Sequence, residues 1–99
     1  MTITEFMTSK IANIQIIIKN LDSPFKTHDF IEKFKKEFEL NYVNFLGQYK
    51  DKNAHFAVHT QIGKFLSNNS TTLRIQKTNK VSSKNVFGKI NLIQQWIKL

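Results

Sequence analysis

Eight cations in the second half of this chain are set out with no carboxylate among them. Between Lys52 and Leu99 stand seven lysines and Arg74, and not one Asp or Glu. The first 51 residues hold the other seven lysines and all seven acids, which cancel, so the net charge of +8 belongs wholly to the second half. Ammonium groups gathered without counter-charges attract a polyanion, whose phosphates neighbouring carboxylates would repel. Lysine outnumbers arginine fourteen to one. Point-charge contact with phosphate is therefore better supported than bidentate reading of guanine, which needs the guanidinium fork.

Other chemistries find little support. His55 and His59 stand at i, i+4, a spacing that can set two imidazoles on one metal ion, but no carboxylate lies downstream and neither His28 nor Asp51 obviously converges on them. No metal site and no cofactor are expected. The three glycines are isolated, so there is no phosphate-cradling loop, and the chain has no cysteine to act as nucleophile, thiolate ligand or disulfide. The acids sit at charge-pair spacing along helical stretches, as in Glu32–Lys36 and Lys33–Glu37. A metal-dependent nuclease needs carboxylates beside its nucleic-acid channel, and the basic half has none. The chain is not expected to be an enzyme.

The elements that must position the cations follow from hydrophobic spacing. Ninety-nine residues with 40% hydrophobic content make one domain with a single core, and that content is too apolar for disorder. No purely apolar run exceeds three residues, as at Ile16-Ile17-Ile18, so no membrane span and no leader are expected and a cytoplasmic location is. Thr2-Ile-Thr-Glu5 fits a capping box, and Ile3, Phe6, Met7, Ile11, Ile14, Ile17, Ile18 and Leu21 share the face of a first helix over residues 3–21. Thr27 is the expected cap of the next helix. Phe30, Ile31, Phe34, Phe38, Tyr42, Phe45 and Tyr49 form one row and are read as core. Leu40, Val43 and Leu46 fall off that row, so two helices, 28–38 and 41–50, are expected, each burying its own side.

After the turn at Asp51-Lys52-Asn53, a helix that runs to Ser67 and opens at His55 or just after Phe56 buries Val58, Ile62, Phe65 and Leu66. Its other face carries Thr60, Gly63, Lys64 and Ser67, with His59 at the margin. Phe56 falls on that polar face. A polar loop, 68–72, leads to the alternating strand Leu73–Thr78, a turn at Asn79-Lys80 and a returning strand around Asn85–Gly88. Lys77, Lys80 and Lys84 then cluster toward the hairpin tip. A last helix is expected after Gly88, with Ile90, Leu92, Ile93, Trp96, Ile97 and Leu99 on one half. That broad apolar arc either completes the core or forms a dimer seam.

Helices followed by a short turn, a further helix and a basic β-hairpin resemble a winged helix-turn-helix domain. The resemblance covers most of the chain in element order. At residue level it rests on Val58–Leu66, which looks like a recognition helix with Thr60 and Lys64 outward and Val58, Ile62 and Leu66 inward. The extra helix at 41–50 and the terminal helix are departures. The expected class is thus mainly α (α+β), winged-helix-like, with three to four helices, a β-hairpin and a C-terminal helix. The resemblance implies that helix 57–67 enters the major groove of double-stranded DNA, where Thr60, Lys64 and His59 approach base edges, with Ser67 on the same nucleic-acid-binding face. Arg74, Lys77, Lys80 and Lys84 would hold phosphates. The expected function is a small bacterial or phage transcription regulator, dimeric through its C-terminal helix. The alternative is a protein-interaction or inhibitor module from a mobile element that docks on a nucleic-acid-handling complex. RNA binding through the same lysines is a third reading.

Overall fold

The computed structural model describes residues 2–49, 53–84 and 90–99. The expected apolar face of the first helix is buried at Ile3, Phe6, Met7, Ile14, Ile17, Ile18 and Leu21, but the helix is not continuous. It divides into α1, Ile3–Ser9, and α2, Ile11–Lys19, with Lys10 (φ −113°, ψ 26°) between them. Side-chain competition accompanies the break. Thr8 Oγ1 donates to the Thr4 carbonyl at 2.8 Å and Ser9 Oγ to the Phe6 carbonyl at 2.6 Å, the back-bonding that bends helices. The capping box forms as expected, with Glu5 N–H donating to Thr2 Oγ1 at 3.1 Å and Thr2 N–H to Glu5 Oε1 at 2.9 Å.

A two-residue strand that the sequence did not announce, β1 (Phe25–Lys26), runs directly into α3, Thr27–Glu37. Lys26, not Thr27, is the N-cap residue of α3, and its N–H donates to Asp29 Oδ2 at 2.8 Å. Thr27 is instead buried, for a reason that lies 69 residues away. Its Oγ1 accepts the Trp96 indole N–H at 2.9 Å and donates to the Gln94 carbonyl at 3.2 Å. The expected break in the Phe-rich segment is present at Phe38, where α4, Glu39–Gly47, begins. It does not shelter Leu40 and Val43, which stay 80% and 56% exposed; Leu46 alone of the three packs on the core. Phe6 gathers Phe34, Phe38 and Phe45 in edge-on contacts at 5.1–6.3 Å between centroids, so the aromatic row is core.

The next helix, α5, spans Ala54–Asn68, so of the two expected starts the one at His55 is within a residue, and Asn53 Oδ1 caps it by accepting the Phe56 N–H at 3.3 Å. Asp51 and Lys52 of the expected turn lie outside the described residues, as does residue 50 of the expected second helix. Val58, Ile62, Phe65 and Leu66 are buried as expected. The expected polar loop is in part a single helical turn, α6 (Ser70–Leu73), closed by Arg74 in the left-handed region at φ 57°.

The C-terminal helix is not there. Residues Ile90–Lys98 form a strand, β3, which pairs antiparallel with β2 (Ile75–Lys84) on one side and with β1 on the other, giving the sheet order β1-β3-β2. Ile90, Ile93, Trp96 and Ile97 satisfy a helical spacing, yet in a nine-residue segment rich in β-branched side chains that spacing does not decide between helix and strand. The paired neighbours decide it. Trp96 is 1% exposed and belongs to the core, while Leu92 and Leu99 face outward, so the helical dimer seam has no helix to form on. The expected turn at Asn79-Lys80 is also displaced, since β2 runs through it; residues 85–88 of the expected returning strand lie outside the described residues. At the other end of β3, Lys98 Nζ donates to the Lys19 and Leu21 carbonyls at 3.2 and 2.6 Å, a cation on the C-terminus of α2. Among the described residues no helix is long and apolar enough to cross a membrane.

Two stability outcomes follow from these contacts. Thr27→Val keeps the shape but strands a buried indole N–H, and is expected to cost about 1–3 kcal/mol, whereas Thr27→Ser restores most of it. Urea unfolding followed by the fluorescence of Trp96, the single tryptophan, measures both. Arg74→Gly relieves the left-handed backbone and is expected to raise stability by about 1 kcal/mol, an increase Arg74→Ala does not produce.

Candidate nucleic-acid interface

The polar face of α5 looks across a groove of about 700 Å³ onto the β2–β3 hairpin, with the start of α3 as a third wall. On the helix side it is lined by His55, Phe56, His59, Thr60, Gly63 and Ser67. The sheet side contributes Lys77, Lys80, Leu92, Gln94 and Trp96. No acidic residue is among the described lining residues.

A β-bulge makes the sheet wall cationic. Lys77 and Lys80 are three residues apart, and alternation along a regular strand would send them to opposite faces. Their partners in β3 are Trp96 and Gln94, two residues apart and so on one face. The register slips by one residue between the two lysines, with Thr78 and Asn79 set against Gln95. Thr78 Oγ1 donates to the Gln95 carbonyl and side-chain oxygen at 3.2 and 3.1 Å, and Gln94 Nε2 donates back to the Thr78 carbonyl at 3.1 Å. Both lysines are exposed, and Lys77 Nζ stands 5.9 Å from the centre of the Trp96 ring.

Of the eight residues singled out from the sequence, the groove brings together five: His59, Thr60, Ser67, Lys77 and Lys80. Thr60 and Ser67 are half-buried. Lys64 is exposed on α5 but does not line the groove, and Arg74 is exposed at the turn between α6 and β2. Lys84 ends β2 opposite Ile90, at the end of the hairpin where the chain passes from β2 to β3 and four residues beyond Lys80. Phe56 and Leu92 are lining residues that the charge pattern did not select. Phe56 was visible as an apolar residue on a polar helix face; Leu92 was hidden by the helical reading of its segment.

His59 is tied inward. Its Nε2 and the Tyr42 hydroxyl are hydrogen-bonded at 2.8 Å, and the His55 ring lies 6.1 Å from it edge-on. Burial, reinforced by His55, His28 and Lys35, pushes the His59 pKa from 6.5 down to about 4. Burial and the Glu32 charge push the Tyr42 hydroxyl up to about 12. At neutral pH the pair is therefore uncharged, and His59 contributes shape and a polar edge instead of a cation. Among the described residues no group of three or more His, Cys, Asp or Glu side chains is placed to hold a metal ion. No family model matches the chain, and neither a curated protein nor a solved structure matches it.

The depressed His59 pKa gives stability a defined pH window. The unfolded chain takes up this proton first, so the contribution is complete above 6.5 and is lost as pH falls toward 4, below which the loss levels off. Over that window wild type is expected to lose about 1–2 kcal/mol more than His59→Gln, allowing for screening at a half-buried site. Denaturant midpoints of the two proteins across pH measure the difference.

Proposed function

We propose that the chain binds double-stranded DNA as a winged-helix domain, with α5 as the recognition helix and the β2–β3 hairpin as the wing. The observation that carries the reading is the groove between them, in which the bulge turns Lys77 and Lys80 to one face with no carboxylate in the lining. The element order also supports it. Helices α1 to α3, helix α5 and the β2–β3 hairpin come in the order on which the winged-helix resemblance rests, and β3 lies between β1 and β2. The insertion of α4 between α3 and α5 is a departure, and it leaves the sheet pairing intact. In this arrangement Lys77 and Lys80 neutralise phosphates and hold register, while Thr60, Ser67 and Lys64 on α5 approach base edges. The acid-free second half supplies long-range attraction that speeds encounter. A regulator of transcription is the role such a domain fits.

A second reading, docking on a protein, draws on Leu40 and Val43, which stand exposed on α4. DNA affinity separates the two. Anisotropy titrations of a labelled duplex over a salt series are expected to show log Kd rising linearly with log salt. Lys77→Ala with Lys80→Ala is expected to lower that slope by about 2, roughly one for each phosphate that no longer has a cation beside it. A flat salt response, or no binding at low salt, overturns the proposal in favour of the protein partner.

A further inference from the structure

Two exposed apolar side chains stand where a purely phosphate-binding groove has no use for them. Phe56, in the first turn of α5, and Leu92, on β3, are each 69% exposed, and both line the groove that holds Lys77 and Lys80. Neither belongs to the core or packs against it. An intact duplex offers such a groove phosphates, sugars and base edges; its base faces are stacked on one another and closed to a phenyl ring. An unpaired base does present a face, and aromatic and apolar side chains beside cations are the combination that takes it. At about 700 Å³ the groove is within the roughly 300–1,000 Å³ range of clefts that enclose a compact ligand. Its cations and missing carboxylates call for an anionic occupant. Gln94 and Trp96, the partners of the two lysines, lie two residues apart, about 7 Å along the strand. The two lysines are therefore anchored about 7 Å apart on one face of the sheet.

We propose that this groove takes an unpaired nucleotide of a DNA strand, its base packed against Phe56 and Leu92 and its flanking phosphates held by Lys77 and Lys80. The proposal rests on the nucleic-acid reading and sharpens it. The favoured ligand is DNA that is bulged or opened at one position, not a straight duplex. Thr60 and Ser67, on the same wall as Phe56, supply hydroxyls toward the base edge.

Three labelled DNAs test it by anisotropy at one salt concentration: a fully paired duplex, the same duplex with one extra unpaired nucleotide, and that bulge with an abasic residue in place of the base. Wild type is expected to bind the bulged duplex on the order of tenfold more tightly than the other two. Phe56→Ala is expected to make the three affinities equal, and Lys77→Ala with Lys80→Ala to weaken all three alike. Both apolar positions are exposed, so circular dichroism should report unchanged folds; if Phe56→Ala does not fold, Leu92→Ala decides, with the same loss of preference expected. An abasic bulge bound as tightly as the intact one, or a preference that survives these substitutions, overturns the inference. Equal binding to all three DNAs leaves the duplex-binding reading standing and removes this one, whereas no binding to any of them removes both.

Discussion

The Trp96 indole N–H is the constraint around which the rest is arranged. An indole that is 1% exposed must pair its one donor within the protein, because a buried unpaired N–H costs about 1–3 kcal/mol. The acceptor is Thr27 Oγ1, which passes its own hydrogen to the Gln94 carbonyl. One hydroxyl thereby joins the first residue of α3 to two positions of β3. The neighbouring pairing of Phe25 with Trp96 extends the same junction into the sheet as β1. With α3 held against β3, α5, which packs on α3, has its polar side turned toward the hairpin. The same junction sets the start of α3 as one wall of the groove.

Charge placement follows from a second local irregularity. A regular β2 would divide Lys77 and Lys80 between the two faces of the sheet, and the bulge at Thr78-Asn79 prevents that. Two acids of α3 are engaged locally. The Asp29 carboxylate accepts the Lys26 N–H, and Glu32 pairs with Lys35 at 3.7 Å. The groove thus has cations on its sheet wall, and hydroxyls and the uncharged His59 on its helical wall. The neutrality of the Tyr42–His59 pair belongs to this design, since a charged imidazole there would be both desolvated and repelled by its neighbours. Phe56 and Leu92 are the strongly exposed apolar groups of the groove's lining.

Much of the helical core was legible from spacing alone. Ile14, Ile17 and Ile18, then Val58, Ile62, Phe65 and Leu66, are buried on the faces their periodicity assigned, and the chain breaks at Phe38 where the aromatic row and the Leu40–Val43 pair conflict. The reason for that break was only half legible, because Leu40 and Val43 remain in solvent. Thr27 shows the opposite failure. A threonine before an apolar helix reads as a cap, and nothing nearby in sequence reveals that its hydroxyl answers a tryptophan 69 residues on. Within the candidate site, the lysines were legible as an acid-free set, but their common face was not.

The order of residues by itself determined what depends on neighbours three or four positions away. That covers the apolar faces of the helices, the capping box at Thr2–Glu5, the charge imbalance between the halves, and the core role of the phenylalanines. Tertiary structure decided whether residues 90–98 became helix or strand, which partner Trp96 found, and which way Lys77 and Lys80 point. The physical reason is common to all three. A helix satisfies its backbone from within the same segment, so its pattern is written locally, whereas a strand is completed only by hydrogen bonds from distant chain. A one-residue slip in that pairing turns every side chain beyond it to the other face.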